Sequence, residues 1–365
     1  MANLEAADKM TTRQLFIVLI VINVGVITAP RVLAESGMQA AWMIAVAGGF
    51  VFFTAAYLII RLMRMFPGQS LADLLPPLVG RLPAMIVILC FALTLLIPLC
   101  LRIQTFSREI TFFMFDRTPA EAIIITFLCV AGYCAVQDWG TTLRTFQIIA
   151  FTALPLMIFL ILLNFINMQT HNWLPLWPPG GFAAILAGIP DSWRLFIGYE
   201  ALLVLLAVTH TPENFVQVTG AALGFKTALV TANTLAVIGT LSAKTTVASP
   251  YPTMVAMRLV ELPGTFVERL DNYFLLSNLP NAILTTALFL YVVAHQFARI
   301  WGYRDHRPFV LLLLPLMFIG TMSFHNLPLY ENALLLFRWL GIFFSFGVIP
   351  LLLVIAWLQR RRKHE

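Results

Sequence analysis

Charged residues are scarce in this sequence. Asp, Glu, Lys and Arg make up 11% of its 365 residues, whereas hydrophobic residues make up 60% and the mean hydropathy is +0.88. An average soluble domain carries about 25% charged residues. A soluble core could not bury this much apolar surface, and no polar stretch is long enough to form a separate soluble domain. The sequence therefore predicts a polytopic membrane protein in which residues 1–365 form a single transmembrane domain.

Cysteines and catalytic motifs are scarce as well. The four cysteines all lie within apolar segments, which favours small buried side chains over disulfides or metal ligands. The sequence has no HExxH, Walker or GxSxG motif, and its charged residues are too scattered for a catalytic site. We therefore expect neither an enzyme nor a bound metal or cofactor. The net charge of +6 does not indicate a nucleic-acid partner, because the basic residues cluster beside the apolar segments.

Ten apolar segments are long enough to cross the roughly 30 Å hydrocarbon core of a bilayer as helices. The sequence therefore predicts an all-α fold with ten transmembrane helices surrounded by lipid. The predicted helices cover about 14–33, 38–62, 83–106, 119–138 and 144–167 in the first half, and about 184–210, 213–241, 268–300, 308–325 and 332–359 in the second.

The basic residues predict the orientation of these helices. If the N-terminus is placed inside, thirteen Lys and Arg residues fall in inner segments and five in outer segments. Cytoplasmic loops of membrane proteins are enriched in Lys and Arg. We therefore expect residues 1–13 to be a cytoplasmic N-terminus and residues 360–365 to be a basic cytoplasmic tail.

Two predicted helices contain features that interrupt a helix near its middle. The first has Gly25 and Pro30, and proline lacks the N–H that a helix needs. The sixth has Gly198 beside Glu200. Non-helical backbone inside a bilayer is tolerated only where it is buried in protein or lines a cavity. Because the two helices open the two halves of the chain, they predict a 5+5 inverted repeat with a central site.

Short motifs occur in order along nearly the whole chain: Thr12–Phe16, Gly25–Arg31, Phe66–Leu71, Phe106–Ile110, Arg117–Pro119, Val267–Asp271, and Gly302–Arg304 with Arg307–Pro308. This ordered set resembles the spore germination permeases, which are the B subunits of endospore germinant receptors. That family is similar to a ten-span branch of the amino acid–polyamine–organocation (APC) transporters. The resemblance implies a LeuT/APC-like fold with broken helices 1 and 6.

The resemblance also implies a function. The protein is expected to be a membrane subunit of a germinant receptor in the spore inner membrane or cell membrane. It is expected to bind a small germinant, an amino acid or a sugar, to work with an A subunit and a lipid-anchored C subunit, and to trigger germination. A proton-coupled amino-acid permease of the APC superfamily is the alternative. A scaffold that binds no solute and only anchors partners is a third hypothesis.

The break in the first helix gives the first candidate ligand-binding residues, Gly25, Val26, Ile27 and Thr28. A broken helix leaves N–H and C=O groups that can hold the carboxylate or ammonium of an amino acid. The structural alternative is a proline kink whose polar groups are satisfied by neighbouring helices.

Glu200 is the second candidate, and Phe196, Gly198 and Tyr199 would line the same cavity. A charge at the centre of a bilayer costs roughly 2.5–3.5 kcal/mol on insertion scales. Glu200 could hold a ligand ammonium or gate by changing protonation. Alternatively it is a structural carboxylate paired with an arginine.

Arg102 follows Leu95 and Leu99 at i, i+4 and i+7 spacing, so the three point in nearly the same direction. Arg102 could meet Glu200 or a ligand carboxylate in the cavity, or it could snorkel outward. Lys226 is expected to snorkel inward to lipid headgroups, with a resident cation in place of a coupling ion as the alternative.

Thr285, Thr286 and Tyr291 are the last candidates, placed opposite the first helix by the resemblance. Threonines in membrane helices usually bond their own backbone instead. Because the expected cavity lining is mainly apolar, we expect a small aliphatic amino acid rather than a sugar.

Overall fold

The computed structural model describes residues 10–22, 27–178, 180–196, 198–209, 214–260 and 269–362. In this part of the chain the secondary structure is helical, apart from one isolated bridge between Met10 and Thr209. The α-helices are α1 (Thr12–Ile22), α2 (Ala29–Gly37), α3 (Ala41–Met65), α4 (Leu71–Val79), α5 (Arg81–Phe113), α6 (Ala120–Ala135), α7 (Trp139–Leu163), α8 (Gly181–Gly188), α9 (Leu202–Leu205), α10 (Phe215–Leu241), α11 (Ala243–Ala248), α12 (Pro252–Arg258), α13 (Leu270–Ile300), α14 (Arg307–Ser323), α15 (Leu327–Phe343) and α16 (Ile349–Arg362).

The helices reproduce the ten predicted spans. Within the described residues, six segments are long and apolar enough to cross a membrane, and four apolar helices are shorter. Span 1 consists of α1 and α2, span 6 runs from α8 to Val208, and span 10 consists of α15 and α16. The remaining spans are α3 (span 2), α5 (span 3), α6 (span 4), α7 (span 5), α10 (span 7), α13 (span 8) and α14 (span 9).

The interruptions lie where the sequence places them. In span 1, α1 ends at Ile22 and α2 begins at Ala29, while Ile27 and Thr28 are not helical. Residues 23–26, and with them the predicted site residues Gly25 and Val26, lie outside the described residues. In span 6 a 3-10 segment ends at Arg194 and a second begins at Tyr199. The prediction of broken helices 1 and 6 is confirmed.

Span 2 packs closely against spans 6 and 7 because it carries two adjacent glycines. A Cβ added to Gly48 would collide with Ser192, and a Cβ added to Gly49 would collide with Thr227. Small residues at such positions let membrane helices approach each other closely. The van der Waals contacts that result hold the helices together, because the hydrophobic effect does not drive helix association in lipid. The glycine pair therefore fixes span 2 against the two spans that flank the centre of the molecule.

The outward faces of the bundle are apolar. Large hydrophobic side chains such as Leu82, Phe151 and Leu312 are exposed, each with more than 60% of its surface accessible. Such contiguous apolar surface needs lipid to cover it. The four cysteines are free, but the expectation that all of them are buried is wrong, because Cys100 is buried, Cys90 and Cys134 are half-buried and Cys129 is exposed. The chain is thus a multi-pass, all-α membrane protein.

Candidate functional site

A cavity of about 730 Å³, here called the vestibule, opens on the face that the basic residues predict to be outer. Ile27 and Thr28 line it from the break in span 1, and Arg194 lines it from the end of the 3-10 segment in span 6. Arg102 and Glu109 line it from span 3. The vestibule therefore reaches both interrupted spans.

A second, much smaller cavity, here called the deep cavity, lies at the inner end of the vestibule. Its volume is about 20 Å³, which is room for about one water molecule. Pro98, Arg102 and Arg194 line both cavities, so the two meet at these side chains. The deep cavity is formed by spans 1, 3, 6, 7 and 8, through Ile22, Pro98, Leu99, Arg102, Arg194, Leu195, Lys226, Thr285 and Phe289.

Hydroxyl groups satisfy the carbonyls on either side of the break in span 1. The Thr285 hydroxyl donates to the Ile22 carbonyl at 3.4 Å, and also to the Asn281 carbonyl of its own helix at 2.7 Å. The Thr253 hydroxyl donates to the Ile27 carbonyl at 2.9 Å. These two carbonyls therefore have hydrogen-bond partners in neighbouring segments. Thr285 and Ile27 nevertheless each line a cavity.

The break in span 6 depends on Gly198, which adopts φ +109°. Its N–H donates to the Glu200 carboxylate, with 3.2 Å from nitrogen to Oε2. Glu200 is only 1% exposed, and none of the ion pairs in the described residues involves it. Its carboxylate therefore holds the backbone at the break, and the alternative of an arginine-paired carboxylate is not found.

Phe196 and Tyr199 pack away from the two cavities. Phe196 stacks on Phe52 of span 2 with ring centres 4.7 Å apart, and Tyr199 meets the same ring edge-on at 5.2 Å. The Tyr199 hydroxyl is hydrogen-bonded to the Ser345 hydroxyl in the π-helical turn Phe344–Val348 of span 10. These aromatic residues tie span 6 to spans 2 and 10.

We expect Ser345→Ala to destabilise the protein by about 1–2 kcal/mol, because it leaves the buried Tyr199 hydroxyl without this partner. Ser323→Ala is the matched control, since the Ser323 hydroxyl is exposed and donates to a carbonyl of its own helix. The control is expected to change stability by no more than about 0.5 kcal/mol. Thermal unfolding in detergent measures both, and equal melting temperatures for the two variants would contradict the assignment.

The remaining candidates divide between the cavities and the packed core. Leu99, Arg102 and Thr285 line the deep cavity, whereas Leu95 is fully buried and lines neither cavity. The Thr286 hydroxyl donates to the Ala282 carbonyl of its own helix at 2.9 Å.

Tyr291 lies in an aromatic group of its own. Its ring packs on Trp139 at 5.1 Å and on His306 at 4.6 Å between ring centres. It lines neither cavity.

Two cations of the deep cavity were not among the candidates. Lys226 is 4% exposed, and its Nζ lies 5.8 Å from the centre of the Phe196 ring. The expected inward snorkelling of Lys226 is therefore wrong. No ligand-binding role was predicted for Arg194 from the sequence. A charged residue inside an apolar span is costly, so both residues could have been chosen from the sequence as candidate site residues.

The comparisons with known proteins agree with this architecture. Residues 9–328 match the family described as "Spore germination protein". The chain is 24% identical to Spore germination protein YndE of Bacillus subtilis (strain 168), over 97% of this chain and 98% of that protein. It is 22% identical to Spore germination protein A2 of the same organism, over 93% of both chains.

Among solved structures, the fold is similar to that of MhsT in complex with L-phenylalanine. The TM-score is 0.66 with 13% sequence identity, over 94% of this chain and 97% of that chain. Both chains are thus alike in fold over nearly their whole length, which confirms the LeuT-like arrangement expected from the two broken spans. Since the family match covers most of the sequence, this chain belongs to the spore germination protein family of multi-pass membrane permeases.

Proposed function

We propose that this protein binds a small nutrient germinant at the inner end of the vestibule and that binding triggers germination. The observation that carries the proposal is a vestibule of about 730 Å³ that reaches both broken spans. Ligand pockets commonly have volumes of about 300–1,000 Å³ and lie between helices or repeats. The residues proposed to bind are those at the break in span 1, Gly25 to Thr28, together with Leu99, Arg102 and Thr285. Gly198 and Glu200 are proposed to support the site by holding the break in span 6, since they and Tyr199 line neither cavity.

Family membership supports a role as the membrane subunit of a germinant receptor, with A and C subunits as partners and the spore inner membrane as its location. The similar fold of MhsT, which was solved in complex with L-phenylalanine, supports an amino acid or another small organic molecule as the ligand. We also propose that residues 1–365 act as a single transmembrane domain with both termini in the cytoplasm.

The test is a thermal-shift screen of the purified protein against amino acids, organic acids and sugars, followed by a cavity-filling variant. Leu99 is 1% exposed and lines the deep cavity, so Leu99→Phe is expected to weaken any ligand found by at least about tenfold. Leu89→Phe is the matched control, because Leu89 is on the same helix but 53% exposed. It is expected to leave the ligand-induced shift unchanged.

Two outcomes would overturn the proposal. One is the absence of any stabilising compound, and the other is a ligand whose affinity is the same in Leu99→Phe as in the unaltered protein. The melting temperature of each variant without ligand is recorded first, so that a loss of folding is not mistaken for a loss of binding.

A proton-coupled amino-acid permease is the second candidate, and the likeness in fold to MhsT favours it. Counterflow of a labelled ligand in proteoliposomes separates the two functions. Saturable exchange that Leu99→Phe abolishes supports the permease. Binding without exchange supports a receptor that senses its ligand and does not transport it.

A further inference from the structure

Three cationic side chains from three different spans line the deep cavity. They are Arg102 of span 3, Arg194 of span 6 and Lys226 of span 7. Neither Asp nor Glu lines this cavity in the described part of the chain. Lys226 is buried, and Arg102 and Lys226 are close enough to repel each other electrostatically.

The acidic side chains nearby offset only part of this positive charge. Glu109 interacts with Arg102 from the vestibule side, and Glu200 accepts the N–H of Gly198. No ion pair in the described residues joins Lys226 or Arg194 to a carboxylate. Like charges cost most where water is excluded, so a group of cations at mid-membrane depth favours an anion between them.

The excess of positive charge is confined to the inner end of the vestibule. Nearer the mouth, arginines and glutamates occur together, and Arg31 pairs with Glu35 at 3.3 Å. An anion entering the vestibule therefore passes a mixed surface before it reaches the cations. Such an arrangement attracts anions to the inner end of the vestibule, where the low-dielectric protein walls strengthen the electrostatic field of the cations.

We propose, on the basis of the function proposed above, that the ligand is a small organic acid with two carboxylates, a dicarboxylic acid or an acidic amino acid. One carboxylate meets Lys226 and the other meets Arg102 and Arg194, whose planar guanidinium groups suit bidentate contact with carboxylates. A neutral amino acid brings only one carboxylate, so it would leave part of this cationic group without a negative partner. The expected preference for an aliphatic amino acid is thereby replaced by a preference for negative charge.

The first test compares L-aspartate with L-asparagine, which has an amide in place of one carboxylate, and adds succinate, which has both carboxylates but no ammonium. Titration calorimetry of the purified full-length protein is carried out with L-aspartate, succinate and L-asparagine. L-Aspartate and succinate are expected to bind, and L-asparagine is expected to bind at least about thirtyfold more weakly, because one carboxylate facing a buried cation is lost. Equal or tighter binding of L-asparagine overturns the proposal.

The second test removes one cation. Lys226→Gln is expected to weaken L-aspartate by about thirtyfold and to reduce its preference over L-asparagine, whereas Lys226→Arg keeps both. Lys244→Gln is the matched control, because Lys244 is exposed on α11 and lines neither cavity. An unchanged L-aspartate affinity in a folded Lys226→Gln protein overturns the proposal.

The result separates this proposal from the one on which it rests. Suppose that neutral nutrients bind, that Leu99→Phe abolishes their binding, and that L-aspartate does not bind. The proposed function then stands, and the proposal of a ligand with two carboxylates is wrong. If no compound in either test binds, both proposals are wrong.

Discussion

Gly198→Ala is expected to destabilise the protein by about 2–5 kcal/mol. Gly198 has φ +109°, a conformation that costs an L-residue about 1–2 kcal/mol. A Cβ at this position would also lie 2.7 Å from Cζ of Phe289, and extra atoms in a packed core commonly cost about 1–3 kcal/mol. The two costs add because one concerns the backbone and the other the neighbouring ring. Thermal unfolding in detergent measures the effect.

Gly198→Ala is also expected to affect the proposed ligand site, because Phe289 lines the deep cavity. The displaced ring is expected to weaken ligand binding as well as stability. Gly224→Ala is the matched control: Gly224 is helical, and a Cβ there would meet no atom within 4 Å. This control is expected to stabilise slightly, by up to about 1 kcal/mol. A Gly198→Ala protein that melts at the same temperature as the Gly224→Ala protein would show that the turn in span 6 is not constrained.

Arg338→Ala is expected to cost about 3 kcal/mol. Arg338 of span 10 donates to Asp191 of span 6 at 2.7 Å, and the Ser36 hydroxyl of span 1 donates to the other carboxylate oxygen at 3.2 Å. Both charged side chains are only about one-fifth exposed. Removing the arginine leaves the carboxylate in a largely dry site with one hydroxyl as its remaining partner, and breaking such a pair commonly costs about 3–5 kcal/mol.

Arg307→Ala is the control for Arg338→Ala. Arg307 pairs with Asp138 at 3.3 Å, but both side chains are more than half exposed, so the expected loss is below about 1 kcal/mol. The double variant Asp191→Asn with Arg338→Gln is expected to be more stable than Arg338→Ala, because it removes the charge that is left alone. If the double variant is the less stable of the two, the effect of Arg338 is due to packing rather than to charge.

The ten spans could be predicted because the bilayer imposes one length and one polarity on every helix that crosses it. The interruptions could be predicted because Pro30 and Gly198 act locally, through a missing N–H and a left-handed backbone. Neither inference needs knowledge of how the helices pack. This is why the fold agrees with the sequence over the described residues.

The site was predicted less well because it depends on how each helix is rotated about its own axis. Successive helical residues point about 100° apart, so Thr285 and Thr286 cannot both face one cavity. Tyr291, six positions after Thr285, points about 120° away from it and packs on Trp139. Leu95 shares a face with Leu99 but lies about 6 Å further along the helix, beyond the end of the cavity.

The direction of the Lys226 side chain could not be predicted from the sequence either. An amphipathic side chain can extend its ammonium toward either membrane surface or into the protein, and only the packing of span 7 decides between them. In the structure Lys226 is buried beside Phe196. The charge and its position along span 7 can be predicted from the sequence, whereas the direction of the side chain depends on tertiary contacts.

The size of the deep cavity sets a condition on the binding of any ligand there. A space of about 20 Å³ has room for about one water molecule, so the described arrangement cannot hold an organic ligand there. Occupancy then requires a rarer, wider arrangement, and the measured affinity falls in proportion to how seldom that arrangement is visited. If a ligand binds there as proposed, substitutions that widen this space are expected to raise its measured affinity without changing any contact to the ligand.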